Sequence, residues 1–229
     1  MSRGALARRL PGPLRRQILH FEAAIEKAVS GFSARLAPDS RVLDAGAGEC
    51  QYKRHFREHR YLAVDLGVGD SAWNYGGLDV VADLAALPLA RSTFDACLNV
   101  VTLEHVREPA AVLDEVSRVL RPGGELLLVV PQEWEIHQAP HDYFRYTCHG
   151  VRYLLEKSGF ISISIQPVGG FFRLLSRRLW NLLEFLPAPL FPFAAILVAP
   201  AAFLLPALDP LDHARNFTLG YICTARKPS

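Results

Sequence analysis

Residues 42–48 decide the fold of this 229-residue chain and read Val42-Leu43-Asp44-Ala45-Gly46-Ala47-Gly48. The apolar start has the composition of a short buried strand, and two glycines follow where that strand ends. Because glycine has no side chain, the backbone at such a loop can turn sharply and approach a ligand closely. The segment therefore predicts the first strand of a ligand-binding parallel sheet.

The spacing of these glycines narrows the choice of ligand. A GxG loop occurs in proteins that bind NAD, FAD or S-adenosylmethionine, and it can also be no more than a tight turn. A dinucleotide site has Gly or Ala three residues after the second glycine, where a helix N-terminus approaches the pyrophosphate. This chain has Gln51 there. The loop therefore favours a ligand without a pyrophosphate.

Short apolar segments alternate with amphipathic ones along the chain, as in βαβ units around a parallel sheet. The predicted strands are residues 41–45, 61–65, 78–82, 94–100, 125–131, 160–166 and 217–225. Apolar residues at three- and four-residue intervals predict helices over residues 14–36, 109–120 and 147–158. The second helix is expected to end at Pro122 and the glycines after it.

Acidic residues stand at the ends of the second and third predicted strands. Asp65 is placed where a carboxylate accepts hydrogen bonds from ribose hydroxyls. Asp83 could accept a hydrogen bond from an adenine amino group while Leu84 packs against the ring. Each carboxylate has an ordinary alternative, because acids also cap turns and helices.

Over residues 40–166 the chain resembles the class I S-adenosylmethionine-dependent methyltransferases, in particular the type 11 group. The residues that carry the resemblance are Asp44, Asp65, Asp83-Leu84, Phe94-Asp95, Leu103-Glu104-His105-Val106 and Arg118-Val119-Leu120-Arg121-Pro122-Gly123-Gly124. The resemblance implies an α/β fold with a Rossmann-like, seven-stranded, mostly parallel sheet, helices on both faces and an antiparallel last strand. A hydrophobic helical insertion would precede that strand.

The resemblance also implies S-adenosylmethionine as the cofactor. Gly46 and Gly48 would line its methionine part, Asp65 would hold the ribose, and residues 99–104 would form the floor of the site. His105 would lie beside the cofactor, or it would cap a helix or pack. The implied cofactor-binding residues are Asp44, Gly46, Gly48, Asp65, Asp83, Leu84, Asn99 and His105.

Residues 131–146 follow the fifth strand at the edge where open α/β sheets bind ligands, so the acceptor site is expected there. Methyl transfer depends mainly on orientation, and a base assists only where the acceptor is a hydroxyl. The candidate catalytic residues are His137, His141 and Tyr143. In the alternative interpretation, Asp142 and Arg145 pair to fix this loop while Tyr143 and Tyr146 pack over the cofactor.

Two histidines of the same segment have a spacing that can bind a metal ion when it lies on a helix. His137 and His141 are four positions apart and would share one face of a helix. Pro140 argues against a helix across them, and the sequence shows no further ligand. The sequence therefore predicts no metal site.

Residues 185–208 contain no charged residue and are long enough to span a membrane. Their prolines, and the return of the chain to the sheet, oppose a simple crossing. The segment predicts a re-entrant or interfacial lid with cationic and amphipathic flanking residues, which are Arg173, Arg177, Arg178 and Trp180. The alternative is a lid packed on the protein's own core or on a second subunit.

Charge and cysteine content set the expected surroundings. The N-terminal arginines Arg3, Arg8, Arg9, Arg15 and Arg16 precede any acid and would meet anionic lipid, or form a solvated arm. The four cysteines show no paired or metal spacing, and no apolar leader is present, so a cytoplasmic protein, peripheral at the inner face of the membrane, is expected. Outside the N-terminal arm the sequence has no stripe of basic residues interleaved with aromatic ones, so nucleic-acid binding is not expected.

The predicted organisation is a basic arm and helix (1–37), a methyltransferase core (38–168), a hydrophobic lid or membrane-contact insertion (169–215) and the last core strand (216–229). The predicted function is S-adenosylmethionine-dependent methyl transfer to a small-molecule acceptor that is hydrophobic or lipid-linked, such as a saccharide carrier or a quinone-like ring. Two alternatives stay open: a soluble small-molecule methyltransferase with an apolar lid, and a non-catalytic cofactor-binding scaffold.

Overall fold

The computed structural model describes residues 12–69, 72–187 and 189–229. The chain divides into a sheet unit, Lys27–Gln166 with Tyr221–Ser229, and a helical unit, which comprises the described residues up to Glu26 with Pro167–Gly220. Arg3, Arg8 and Arg9, which were expected to meet anionic lipid, lie outside the described residues.

Six helices and seven strands make up the regular structure of the described residues. In chain order they are α1 (Gly12–Ile18), α2 (His20–Ser33), β1 (Arg41–Ala45), β2 (Arg60–Asp65), β3 (Val80–Val81), β4 (Phe94–Val100), α3 (Pro109–Val119), β5 (Leu120–Pro131), α4 (Cys148–Lys157), β6 (Ile161–Val168), α5 (Phe171–Leu182), α6 (Phe191–Leu204) and β7 (Gly220–Arg226). Short 3₁₀ turns lie between them, among them Leu103–His105 after β4 and Leu205–Leu211 after α6.

The seven strands form one sheet in the order β3-β2-β1-β4-β5-β7-β6. The pairs β1–β2, β1–β4, β2–β3 and β4–β5 are parallel. Strand β7 runs antiparallel to β5, since Arg226 contacts Glu125 near the start of β5 and Tyr221 contacts Gln132 beyond its end. The predicted fold, with a mostly parallel sheet and an antiparallel last strand, is confirmed.

The central strands are buried on both faces, as is typical of a parallel sheet covered by helices. Leu43, Leu98 and Leu128 in β1, β4 and β5 have no exposed surface. Helix α3 contributes an apolar face whose four residues Val112, Leu113, Val116 and Val119 are also fully buried. This packing leaves the carboxyl ends of β1, β2, β4 and β5 together at one edge of the sheet.

Several predicted boundaries differ from the structure, and three of them are instructive. The single helix over 14–36 is two helices interrupted at Leu19, although backbone hydrogen bonds continue across the break. Strand β3 is shorter than predicted. Helix α3 ends at Val119, before Pro122, because Leu120 already pairs with Phe94 of β4 and begins β5. Sheet pairing therefore ends this helix, and the proline and glycines lie within the strand.

The helical unit has an interior of its own. Trp180 is 5% exposed and meets Phe203 edge to face, with ring centroids 5.1 Å apart. Ser176 Oγ donates to the Ala202 carbonyl at 2.6 Å, and Gln17 Nε2 donates to the Phe203 carbonyl at 2.5 Å. These contacts hold α1, α5 and α6 together.

The residues expected to flank a headgroup region are placed differently. Arg177 and Trp180 are buried, which contradicts that expectation, because α5 turns both side chains inward. Arg173 is partly buried, and its Nε lies 3.3 Å from Asp209 Oδ2. Arg178 is exposed. Of the four, only Arg178 is exposed as a headgroup contact requires.

Asp209 and Asp212 fix the start of α5. Arg215 Nη1 lies 3.0 Å from the buried Asp209 carboxylate, which also accepts a hydrogen bond from the Arg173 backbone N–H at 3.1 Å. Asp212 accepts one from the Phe171 backbone N–H at 2.8 Å. Both carboxylates therefore cap the helix, where the dipole favours negative charge.

The surface of α6 is apolar. Phe193, Ile196, Leu197 and Leu204 are 70–80% exposed, and residues Phe191–Leu211 have a mean hydropathy of 2.1 with 11% of their most apolar window buried. By length and composition alone, this is the one helix among the described residues that could cross a membrane. Soluble domains seldom leave so much contiguous apolar surface in water.

Candidate functional site

The glycine loop after β1 is packed too tightly for any side chain. Gly46 has φ +98°, and a Cβ there would lie 2.2 Å from Thr102 Cγ2. Its N–H donates to the Val64 carbonyl at 2.8 Å, and Thr102 Oγ1 donates to the Gly46 carbonyl at 3.2 Å. Glycine is required here because the loop passes directly over the end of β4.

Asp65 ties the glycine loop to the loop that follows β2. Its Oδ2 accepts a hydrogen bond from the Gly48 N–H at 3.0 Å, and its Oδ1 accepts one from the Gly67 N–H at 2.8 Å. The side chain is half-buried at the strand end. Each carboxylate oxygen keeps a second lone pair, so the group can still accept hydrogen bonds from a ligand.

Asp44 is buried at the centre of the same edge and is only partly satisfied. One oxygen accepts a hydrogen bond from the Tyr61 hydroxyl, while Oδ1 has no hydrogen-bond partner among the described residues. Burial raises the pKa of this carboxyl to about 7, the nearby Asp65 adds to the rise, and the Tyr61 hydrogen bond opposes it. Such a group attracts a cation or a donor, because either would relieve the cost of burial.

Asn99 lies beside these groups at the end of β4. Its side chain is fully buried, and Nδ2 donates to the Ala45 carbonyl at 2.8 Å. Its Oδ1 has no hydrogen-bond partner within the described part of the chain. The amide therefore joins β4 to β1 and presents one free acceptor.

The two residues assigned to adenine are placed less favourably. Asp83 Oδ1 accepts a hydrogen bond from the Ala85 N–H at 2.9 Å and caps a 3₁₀ turn, which is its ordinary alternative role. Leu84 is 4% exposed and packs in the hydrophobic core, so little of it can meet a ring. Trp73 was not predicted as a site residue, yet it lies beside the glycine loop: one of its ring carbons is 3.3 Å from where a Cβ on Gly48 would stand.

An aspartate–arginine pair fixes the loop after β5. Arg145 Nη1 and Nη2 lie 2.6 and 2.8 Å from the two oxygens of Asp142, and Arg145 Nε donates to the Trp134 carbonyl at 3.0 Å. The Arg145 guanidinium lowers the pKa of Asp142 to about 2. The pair therefore has the structural role that the sequence left open.

The two tyrosines of this loop differ. Tyr146 is buried, and its hydroxyl donates to the Leu103 carbonyl at 2.8 Å. Tyr143 is 36% exposed, and its hydroxyl lies 3.1 Å from Arg107 Nε and 3.2 Å from His141 Nδ1. Tyr143 and His141 are therefore accessible to an acceptor, and Tyr146 is part of the core.

His137 meets residues of the turn after β4 instead of His141. Its Nε2 lies 3.1 Å from His105 Nε2, and Glu104 Oε1 lies 3.7 Å from the same His105 nitrogen. Burial is the main cause of two shifts: it raises the pKa of Glu104 to about 8 and lowers that of His105. The sequence placed Glu104 in the expected cofactor floor, residues 99–104, but gave it no chemical role, although its place in Leu103-Glu104-His105-Val106 was a signal.

Comparison with known proteins agrees with this architecture. A family model described as a methyltransferase domain matches residues 43–128. A malonyl-[acyl-carrier protein] O-methyltransferase of Hahella chejuensis is 32% identical over 113 residues, which cover 44% of this chain and 40% of the relative. A demethylmenaquinone methyltransferase of Renibacterium salmoninarum is 33% identical over 97 residues, which cover 40% of this chain and 41% of the relative. The chain thus spans less than half the length of these relatives.

A solved structure extends the likeness in fold to most of the chain. It is the Burkholderia thailandensis 1,6-didemethyltoxoflavin-N1-methyltransferase with bound 1,6-didemethyltoxoflavin and S-adenosylhomocysteine, and it is 20% identical. The TM-score is 0.57, with 92% of this chain and 81% of that chain covered. The family model thus supports the type 11 methyltransferase resemblance over residues 43–128, and the solved structure shows that the fold is shared.

Proposed function

We propose that this chain transfers a methyl group from S-adenosylmethionine to a small-molecule acceptor. The observation that carries the proposal is the arrangement of Asp44, Gly46 and Asp65 at one edge of the sheet. A buried acid with a free oxygen, a glycine without room for a side chain, and a carboxylate held by two backbone amides lie on adjacent strands and loops.

These residues fit the cofactor chemically. S-adenosylmethionine carries a primary ammonium and a sulfonium, and the free Asp44 oxygen is suited to positive charge. The remaining lone pairs of Asp65 are suited to ribose hydroxyls, and Gly46 and Gly48 let the backbone approach the ligand. The cofactor, when bound, supplies the methyl group, and the protein's own contribution is orientation.

The acceptor is proposed to bind beside the loop after β5. His137, His141 and Tyr143 are the groups there that could take a proton from an acceptor hydroxyl. The Asp142–Arg145 pair would hold these residues in place, since Asp142 accepts from the His137 backbone N–H and Arg145 donates to the Trp134 carbonyl.

Calorimetric titration with S-adenosylmethionine tests the cofactor site. Asp65→Ala removes acceptors for ligand hydroxyls, and hydrogen bonds to charged groups contribute about 1.5–3 kcal/mol each, so affinity should fall at least tenfold. Asp114→Ala, an exposed aspartate on α3, is the matched control and should bind like the parent. Absence of binding by the folded parent would refute the proposal, and with it the cofactor-binding scaffold alternative.

The acceptor is proposed to be hydrophobic or lipid-linked, and the exposed apolar surface of α6 supports this choice. A helix that is apolar all round is normally buried in a large core or in a bilayer. In α6 the most apolar side chains are instead exposed. One relative is named a demethylmenaquinone methyltransferase, and this name supports a quinone-like acceptor as the proposal for this chain.

Within the helical unit, α6 is proposed to lie in a membrane interface at the cytoplasmic face. A full crossing is opposed by connectivity, because β6 before α6 and β7 after it are neighbours in one sheet. Arg15 and Arg16 are exposed on α1, and their neighbour Gln17 hydrogen-bonds to α6. Their charges would favour anionic headgroups.

Co-sedimentation with vesicles of phosphatidylglycerol and phosphatidylcholine tests this contact. The triple variant Phe193→Ser, Ile196→Ser and Leu197→Ser should lose most of the bound fraction, because each apolar side chain withdrawn from water contributes about 1.5–3 kcal/mol. A control variant carries serine at three exposed apolar residues of the sheet unit, Val81, Tyr153 and Ile161. If the parent does not sediment, or if both variants behave alike, the soluble-enzyme alternative is preferred.

A further inference from the structure

The protonation of His105 can be read from its neighbours. Its Nδ1 lies 2.5 Å from the backbone carbonyl of His141, and a carbonyl only accepts hydrogen bonds. The ring proton is therefore on Nδ1, which donates to that carbonyl. In the neutral ring this leaves a lone pair on Nε2.

The same reasoning applies to His137. Its Nδ1 lies 3.1 Å from the Glu135 carbonyl and 3.5 Å from a carboxylate oxygen of Asp142, and both are acceptors. Its proton is therefore also on Nδ1, and Nε2 carries a lone pair. The two Nε2 atoms stand 3.1 Å apart, so their lone pairs repel each other unless a proton or a metal ion lies between them.

Glu104 completes the cluster. Its side chain is fully buried, and neither carboxylate oxygen has a hydrogen-bond partner in the part of the chain that the structure describes. The ligand atoms of Glu104, His105 and His137 all lie within 4.8 Å of one another. An ionised carboxylate so placed is costly without a positive partner.

We propose that Glu104, His105 and His137 bind one divalent transition metal ion of the zinc class. With metal–nitrogen bonds of about 2.1 Å and tetrahedral angles, two imidazole nitrogens stand about 3.4 Å apart, close to the spacing found here. Two imidazoles and one carboxylate suit zinc and its neighbours better than magnesium or calcium, which prefer oxygen ligands.

The groups around the cluster also orient its histidines as a metal site requires. Histidine ligands are normally oriented by a hydrogen bond from the other ring nitrogen to a carbonyl or a carboxylate. His105 has this bond to the His141 carbonyl, and His137 has it to the Glu135 carbonyl beside Asp142. Arg145 fixes Asp142 in turn, so the aspartate–arginine pair acts as a positioning element for the ligands.

Three protein ligands leave a fourth position open, as in catalytic zinc sites. The ligands come from the turn after β4 and the loop after β5, where the acceptor is proposed to bind. With the ion bound His137 is a ligand, so His141 and Tyr143 are the groups left to take a proton. An acceptor that presents an oxygen is the chemistry that this position would take, and a bound ion would lower the pKa of a hydroxyl there. This use of the ion rests on the proposed methyl transfer, whereas its binding does not.

The test is titration of the full chain, stripped with a chelator, with Co²⁺ followed by visible absorption, and then displacement with Zn²⁺. We expect one ion to bind, and His105→Ala and His137→Ala each to lower affinity at least hundredfold. Glu104→Gln should lower it about tenfold or more. His141→Ala is the matched control, because it removes a nearby imidazole but keeps the backbone carbonyl that orients His105, and it should bind like the parent.

Circular dichroism and S-adenosylmethionine titration of every variant separate a lost ligand from a lost fold. No saturable Co²⁺ binding by the folded parent, or equal binding by His105→Ala, His137→Ala and His141→Ala, would overturn the metal site. A chain that binds Co²⁺ but not S-adenosylmethionine would keep the metal site and refute the proposed function.

Discussion

The sheet unit and the helical unit differ in where their most apolar segments lie: in the first they are buried, and in the second they are exposed. In the sheet unit the apolar runs of β1, β4 and β5 are fully buried, whereas in the helical unit α6, which has the longest uncharged run, is mostly exposed. Judged by composition alone, the strands and α6 are equally suited to a hydrophobic core. Hydropathy therefore measures how strongly a segment avoids water, and only packing shows what it meets instead.

The two units also differ in how an aspartate is paired with arginine. In the sheet unit Asp142 and Arg145 are three residues apart, and the pair fixes one loop. In the helical unit Asp209 joins Arg173 and Arg215 and caps a helix that begins far away in sequence. The first pair can be anticipated from local sequence, and the second depends on the tertiary fold.

The sharpest way to break the comparison is one substitution in each unit. Leu126→Ala, in the buried β5, should lower the free energy of unfolding by about 3–5 kcal/mol, because it leaves a cavity. Leu197→Ala, at a residue of α6 that is 80% exposed, should change it by less than about 0.5 kcal/mol. Urea unfolding without lipid measures both, and a similar loss in each would mean that α6 is buried.

The next effect tests the aspartate–arginine pair of the sheet unit through pH. The folded-state pKa of Asp142, about 2, is below its ordinary value of 3.8, so the ion pair contributes stability above that ordinary value and loses it as pH falls through 2. Asp142→Asn should therefore cost about 2 kcal/mol near neutral pH, and the difference from the parent should shrink between about pH 4 and pH 2.

Urea midpoints measured across that range check the prediction. Asp209→Asn serves as the comparison in the helical unit, since an asparagine oxygen can still cap α5 while the charge and the acceptor that face Arg173 and Arg215 are lost. It should cost about 1 kcal/mol, because both arginines are partly exposed. A pH-independent deficit in Asp142→Asn would argue that the loop is held by packing instead.

The buried Asp44 of the sheet unit should show an effect of the opposite sign. The folded-state pKa of Asp44 is raised from 3.8 to about 7, so the folded state binds the extra proton and loses stability as pH rises between these values. Asp44→Asn cannot ionise, so its stability relative to the parent should rise between about pH 4 and pH 7 and stay level above that range, with no gain near pH 4. The same variant should bind S-adenosylmethionine more weakly. If urea unfolding gave the same stability for the variant and the parent at both pH 4 and pH 7, the prediction would be contradicted.

Local patterns predicted the central strands well. The bounds of β1 and β4 agree with the sequence prediction because each is an uninterrupted buried run. The end of α3 could not be predicted, since pairing of Leu120 with Phe94 outweighs the helix-breaking residues that follow. The inward orientation of Trp180 depends on its contact with Phe203 and on the fold of α5 against α6.

The candidate site shows the same division. The glycine loop and Asp65 were predicted from their places at strand ends, and the structure brings them together. The grouping of Glu104, His105 and His137 was not predicted, because sequence spacing suggested only His141 as a partner for His137, and Pro140 argued against that pair. The loop after β5 folds back over the turn after β4, and no local pattern encodes that return.

The hydrogen bond from Leu219 N–H to the Val168 carbonyl, 3.1 Å long, means that the chain leaves β6 and enters β7 at one point. In topological terms residues 169–219 are the loop of a β-hairpin, enlarged into a module. Because loop closure costs little more entropy as a loop lengthens, such a module can be exchanged or resized without altering strand register. Evolution could therefore retarget this protein by editing one hairpin loop while its glycine loop and strand-end acids stay unchanged.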